Sequence, residues 1–233
     1  MFKKLFLVLC ILMFTNNVYC VNVNTYIPSK AFSYKDIIKT EVNIYFKNIY
    51  DINYIPSLIE QESCISLTHS RCWSPTSRLK TSREEGAGLG QITRAYNKNG
   101  SLRFDKLKEL RDSNKQALKD MYWDTIYQRP DLQIRAILIL LKSDYNRINN
   151  NNKLERLKMT DAAYNGGVGG LLKEQRVCGI AANCDPNIWF KNVELYCLKS
   201  KKSLYGSRSA CDINREHTST VFKIRLPKYN KFY

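Results

Sequence analysis

The chain is predicted to fold as a mainly α-helical domain of the α+β class, with at most a small β-hairpin and a set of disulfide staples. Three observations carry that expectation. Apolar residues recur at three- and four-residue steps in several separate stretches, convincing alternating strands are scarce, and six cysteines remain once an N-terminal export segment is set aside.

The export segment is Lys3 and Lys4, an apolar run from Leu5 to Phe14, and a cleavage region at Val18 to Cys20. The run is short for a membrane span, which takes about 20 predominantly apolar residues, and Asn16 and Asn17 interrupt it. An uncleaved anchor is the alternative. A lipidated Cys20 is a poorer fit, because bulky Tyr19 precedes it. With residues 1–20 read as a signal peptide, the mature chain is periplasmic or secreted and has no stable membrane span.

Residues 21–50 are expected to form an N-terminal helical extension. Within it Ile37, Ile38, Val42, Tyr45, Phe46 and Ile49 define an amphipathic helix over Tyr34 to Tyr50. A second helix is predicted from about Pro56, since proline is tolerated in a first helical turn, and Ile55, Leu58, Ile59 and Glu62 fall on one face. From Cys64 to Thr81 the periodicity disappears and a long polar loop is expected. A hairpin is placed near Arg83 to Ile92. Ile134, Ile137, Leu138, Leu141, Tyr145 and Ile148 form the strongest apolar stripe, on a segment apolar nearly all round, which predicts a central buried helix. After the Asn149 to Asn152 run, a helix from about Leu154 should end at Gly166 and Gly167. The last helix is expected to begin after Asp212, run through Val221 and Ile224, and stop before Pro227.

The formal charge of the whole chain is +16, and removal of Lys3 and Lys4 with the signal leaves +14. Such a charge attracts a polyanion, whether nucleic acid, an anionic membrane or a bacterial wall, and does not choose among them. No aromatic and basic module of the kind that reads RNA is visible, so a nucleic-acid partner is not expected. The even cysteine number in an exported chain predicts disulfides. The short spacings make Cys64 with Cys72, Cys178 with Cys184, and Cys197 with Cys211 the simplest pairing. Zinc held by Cys64, His69 and Cys72 is the rival reading, although that spacing matches no common finger. No metal or other cofactor is expected.

The chemistry centres on Glu62. At about 100° per residue it lies about 40° from Leu58, whereas Glu60 lies about 200° away, so Glu62 is expected on the apolar face and Glu60 on a wetter one. A carboxyl withdrawn from water holds its proton longer, which suits a general acid. A Glu at a helix end is more often structural, but the surrounding blocks alter the balance. Glu62-Ser63 is followed by Gly86-Ala87-Gly88-Leu89-Gly90-Gln91-Ile92, and later by Ala162-Ala163-Tyr164-Asn165-Gly166-Gly167.

These three blocks, in this order, resemble the lytic transglycosylase domain of the goose-type lysozyme superfamily. The resemblance covers roughly Tyr54 to Tyr229 and implies a lysozyme-like catalytic domain over residues 51–233. It implies Glu62 as acid and then base, with Ser63, Gly88, Leu89, Gln91, Tyr164 and Asn165 on the substrate side. The implied partner is the glycan strand of peptidoglycan; protein partners are not indicated. Each role also has a plainer alternative. Gly86, Gly88 and Gly90 let backbone approach a ligand or merely form a turn, Gln91 offers a donor and an acceptor to an N-acetyl group, and Tyr164 with Asn165 could cap a helix. The resemblance departs in two places, a longer loop carrying Cys64 and Cys72, and Gly90 where methionine is common.

The implied reaction cuts between N-acetylmuramic acid and N-acetylglucosamine and leaves 1,6-anhydro ends. A hydrolytic lysozyme, a wall-binding protein without turnover and a nucleic-acid binder are the rivals. Two-carboxylate glycosidases need a second Asp or Glu; Glu84 and Glu85 are read as a solvated pair beside Arg83 and receive no catalytic role.

Overall fold

The computed structural model describes residues 21–233, and the predicted signal peptide lies outside the described residues. About 52% of the described residues are helical. The helices are α1 (Ser29–Phe32), α2 (Lys35–Tyr45), α3 (Tyr54–Ser63), α4 (Lys106–Ser113), α5 (Lys115–Leu118), α6 (Pro130–Arg147), α7 (Lys153–Gly166), α8 (Val168–Ile180), α9 (Ala210–Thr220) and α10 (Leu226–Tyr229). Among the described residues no helix is long and apolar enough to cross a membrane.

The expected long central helix is α6. Proline stands in its first turn, where the missing N–H has no intrahelical partner to lose. Ile134, Ile137, Leu138 and Leu141 are fully buried. They join Ile38 and Val42 of α2, Leu58 and Ile59 of α3, and Tyr229 and Phe232 of the C-terminus in one core. The segment 21–50 therefore shares its core with the rest of the domain. Helix α7 starts at Asn152, whose side chain accepts from the N–H groups of Leu154 and Glu155, so the asparagine run ends in an N-cap. It stops at Gly167, at φ 86°, a conformation that costs a glycine little.

The β structure exceeds the expected hairpin. Strands β1 (Arg78–Lys80), β2 (Glu84–Ala87), β3 (Ile92–Tyr96) and β4 (Leu102–Asp105) form a four-stranded antiparallel sheet in sequential order. A separate pair, β5 (Ser203–Tyr205) and β6 (Arg208–Ser209), makes a small hairpin. These strands have two to five residues, too few for alternation to register, and ionic side chains hold the sheet laterally. Glu85 of β2 is bridged by Arg78 of β1 and by Arg94 of β3, the latter at 2.7 Å. Below the sheet Ala87 and Ile92 pack with Leu107, Leu110, Leu118, Leu132 and Ala136.

Further helical readings change, and one helix is added. The first helix ends at Tyr45, short of Tyr50, and α3 begins two residues before Pro56. Helix α8 follows α7 directly; its buried residues Val168, Leu171, Glu174 and Cys178 keep helical spacing although Gly169 and Gly170 interrupt the pattern. The terminal helix starts before Asp212, at Ala210, with a capping box between Ser209 and Asp212. It also does not stop at Pro227. Val221–Arg225 widen into a π-helical turn, and Pro227 enters the first turn of α10. Renewed helix initiation gives the proline a place where no backbone donor is missed.

Three disulfides join Cys64 to Cys72, Cys178 to Cys184 and Cys197 to Cys211. Bonding of Cys64 to Cys72 uses the two thiols that zinc would have needed. Three such bonds fit an oxidising compartment.

Candidate active site

Helices α3, α6 and α7, the sheet and the β5–β6 hairpin enclose a cleft of about 1920 Å³. Small-ligand pockets run to about 300–1,000 Å³, so the cleft has room for an extended chain. Nine basic and four acidic side chains line it.

Glu62 opens into this cleft from the last turn of α3. Its side chain is 14% exposed. A hydrogen bond of 2.7 Å joins its Oε1 to Nε2 of His217 on α9, and Nδ1 of the same ring lies 3.0 Å from Oδ2 of Asp161 on α7. The Tyr54 hydroxyl donates to Oδ1 of Asp161 at 3.0 Å. Three helices thus build a line of Tyr54, Asp161, His217 and Glu62. Burial of the ring works against its charged form, but the Asp161 carboxylate and the bonds to Asp161 and Glu62 outweigh it and hold the His217 pKa up at about 10. Burial and then Asp161 push the Tyr54 phenol well up, so it stays a donor. The arrangement retains a proton beside Glu62 throughout the neutral range.

Glu60 is not on a wet face. It is fully buried, bridged by Arg225 and by Lys228 at 2.6 Å, and it accepts from the Tyr229 hydroxyl at 2.8 Å. The π turn and α10 cover the side of α3 that a helical wheel leaves to solvent. Glu62 is the more open of the two, and its surroundings are imidazole and cleft instead of an apolar wall.

Of the other expected site residues, Gln91, Tyr164 and Asn165 line the cleft. Gln91 sits at φ 44° after the short 3₁₀ turn Gly88–Gly90, with its Nε2 donating to the Gly88 carbonyl at 2.8 Å. Tyr164 donates to the Gly90 carbonyl at 2.6 Å, tying α7 to that turn, and Asn165 accepts from Asn214 Nδ2 at 3.0 Å. Ser63 reaches the cleft wall but is 1% exposed. Its hydroxyl donates to the Ile59 carbonyl at 2.7 Å and accepts from the Trp73 N–H at 3.2 Å, so it pins the disulfide loop to α3.

Gly88 and Leu89 are buried away from the cleft. Leu89 is core, and its N–H donates to Gln133 Oε1 at 2.8 Å. Protein neighbours alone require glycine at two of these positions. A Cβ on Gly88 would stand 2.2 Å from Gln133 Oε1, and one on Gly90 would stand 2.4 Å from Ile137 Cγ1 and 2.7 Å from the Tyr164 hydroxyl.

The reading of Glu84 and Glu85 as a solvated pair also changes. Glu85 is 2% exposed, and although burial opposes its charge, Arg94 and Arg78 hold its pKa below the usual carboxylate value. Glu84 accepts from the Tyr205 hydroxyl, so the hairpin anchored by Cys197–Cys211 closes across to the sheet.

Sequence reasoning missed His217 and Asp161. A signal existed for both. His217 lies three residues after Asn214 and four before Val221, all buried, which puts an imidazole on the inner face of α9. Asp161 precedes Tyr164 by three, one helical turn along α7. Comparison of the chain with family profiles, characterised proteins and solved structures returned no match.

Proposed function

We propose that the protein is a lysozyme-like enzyme, exported from the cell, that cleaves the β-1,4 bond between N-acetylmuramic acid and N-acetylglucosamine in peptidoglycan. The observation that carries this reading is the Glu62 carboxyl in a polymer-sized cleft, coupled through His217 to buried Asp161. The ordered motif blocks around Glu62, Gln91 and Tyr164 support the same reading. The basic lining suits a polymer that carries carboxylates on its peptide and lactyl groups.

The Glu62–His217 pair holds one proton in the bond between Oε1 and Nε2. With that proton on the carboxyl, Glu62 gives a proton to the leaving glycosidic oxygen as the bond to the muramic C1 breaks. His217 is then neutral, Glu62 is a carboxylate, and positive charge grows on the sugar ring. The carboxylate next takes a proton from the incoming nucleophile, which restores the starting state. Attack by the muramic C6 hydroxyl closes a 1,6-anhydro ring; attack by water gives a reducing end. One carboxyl acts twice, and His217 and Asp161 position and retain its proton. No cofactor enters this sequence.

The test is Glu62→Gln. Wall lysis should be lost while the circular dichroism spectrum and unfolding midpoint stay near those of the parent. Full lysis by that variant would overturn the reading. Mass spectrometry of the products identifies the nucleophile, since an anhydro end lacks one water.

A further inference from the structure

Asp144 stands on α6 in the wall of the same cleft. It is only 5% exposed. No described residue donates a hydrogen bond to its side chain, and no described cation reaches it within ion-pair distance. Lys106 and Arg147 act on it only through longer-range attraction, and burial, which outweighs them, raises its pKa to about 6. Every other buried carboxylate named above has donors. Glu60 has three, Glu85 has two arginines, and Asp161 has a tyrosine and a histidine. Neither of its oxygens is fully enclosed, so the carboxylate opens onto the cleft, where a ligand can donate to it.

Asp144 also belongs to the neighbourhood of the reacting centre. Asp144 of α6, Glu62 of α3 and Tyr164 of α7 line the same cleft, and the Tyr164 phenol is raised by burial first and then by Glu62, Asp161 and Asp144. A ligand spanning the cleft past Tyr164 meets Asp144 and Glu62.

The charge of the site narrows what that ligand offers. An anionic group is repelled by the ionised Asp144, and a cationic one is disfavoured by nine basic residues along the wall. A neutral donor suits both. We infer that Asp144 is a saccharide-binding carboxyl, accepting hydrogen bonds from a hydroxyl or acetamido N–H of an N-acetylhexosamine bound beside the sugar that Glu62 protonates. This inference rests on the glycan-cleaving reading of the cleft. Asp144 takes no part in proton transfer and acts on affinity.

The experiment is calorimetric titration of the signal-free protein with an N-acetylglucosamine tetramer, in a Glu62→Gln background so that the ligand survives. Adding Asp144→Asn should weaken binding about tenfold or more, in line with the usual strength of hydrogen bonds to charged groups. Asp144→Ala, which removes both acceptor oxygens, should do the same. Each variant is checked for an unchanged circular dichroism spectrum. Binding as tight as in the Glu62→Gln parent overturns the role of Asp144 and leaves the cleft reading standing. A Glu62→Gln parent that binds no saccharide overturns both.

Discussion

Asp161→Asn isolates the device that, in the proposed mechanism, supplies Glu62 with its proton. Asp161 is fully buried and faces His217 Nδ1 at 3.0 Å. An asparagine there keeps size and shape and can still accept from the Tyr54 hydroxyl, which donates at 3.0 Å in the parent. Its amide N–H would then point at Nδ1, make that nitrogen the acceptor, and leave the ring hydrogen on Nε2. A neutral ring in that tautomer still donates to Glu62 but no longer carries the extra proton that the parent imidazolium can pass to the carboxyl.

The magnitude follows from the His217 pKa of about 10 against an ordinary 6.5. At pH 8 a group with pKa 10 is about 99% protonated and one with pKa 6.5 about 3% protonated. The sign is that of a base with a raised folded pKa. The proton and the stability it brings are fully present below about 6.5, and both are lost as pH rises through about 10. The parent should therefore keep its proton-donating pair beyond pH 9, and Asp161→Asn should decline from near pH 6.5. Positioned acid–base groups contribute about 10²–10⁴ in rate, so at pH 8 the variant should lose at least about a hundredfold, with a smaller loss at pH 6. Turbidity clearing of purified walls from pH 5 to 10 gives the profile. Imidazole proton resonances give the titration directly, because the chain has two histidines and exposed His69 supplies the reference signal. A parent His217 that titrates near 6.5, or superimposable profiles for parent and variant, refutes the reasoning.

Glu60→Gln should destabilise the fold by about 3–5 kcal/mol in urea unfolding, since it leaves buried Arg225 and Lys228 without their carboxylate; an unchanged midpoint would contradict its structural role. Gly90→Ala should cost about 1–3 kcal/mol through overpacking against Ile137 and Tyr164, and should lower kcat as Tyr164 is displaced. Normal turnover by that variant would show that the Tyr164 contact is dispensable. Asp144 reverses the usual pH dependence of a carboxylate. Its pKa rises from 3.8 to about 6, so the folded state holds a proton that the unfolded chain has released, and stability falls as pH rises through that window. The gap corresponds to about 3 kcal/mol above pH 6 at about 1.4 kcal/mol per pH unit. Asp144→Asn should recover about 1–3 kcal/mol at pH 7 and almost nothing at pH 4, read from urea curves at both; an equal change at the two values sinks the assignment.

Helices with a long uninterrupted pattern were legible in the sequence. Ile134 to Ile148 announced α6, and Gly167 marked the end of α7. The pairing of the cysteines followed from short spacings alone. What was hidden shares a physical cause: the signal of an element weakens when charge, rather than apolar area, faces its neighbour. The β1–β2–β3 ladder is held through Glu85 between Arg78 and Arg94, and α4 offers mainly Leu107 and Leu110 to the core. In α8 the two glycines after Val168 dilute the stripe although Leu171 and Cys178 remain buried.

The site was legible in its parts that lie close together in the chain and hidden in those that do not. Glu62 and His217 are 155 residues apart, and only the fold joins them. The contrast between Glu60 and Glu62 shows what a wheel projection omits. Both stand on α3, two residues apart, and the projection gives the deeper position to Glu62. The terminal segment reverses that order by delivering Arg225, Lys228 and the Tyr229 hydroxyl onto Glu60. Three donors hold that carboxylate, which lies outside the cleft lining. Glu62 accepts one hydrogen bond from a described residue, on Oε1, from a ring whose proton Asp161 retains. Its Oε2 is left for the cleft. Partner saturation, more than depth, therefore separates Glu60 from the carboxylate proposed to react.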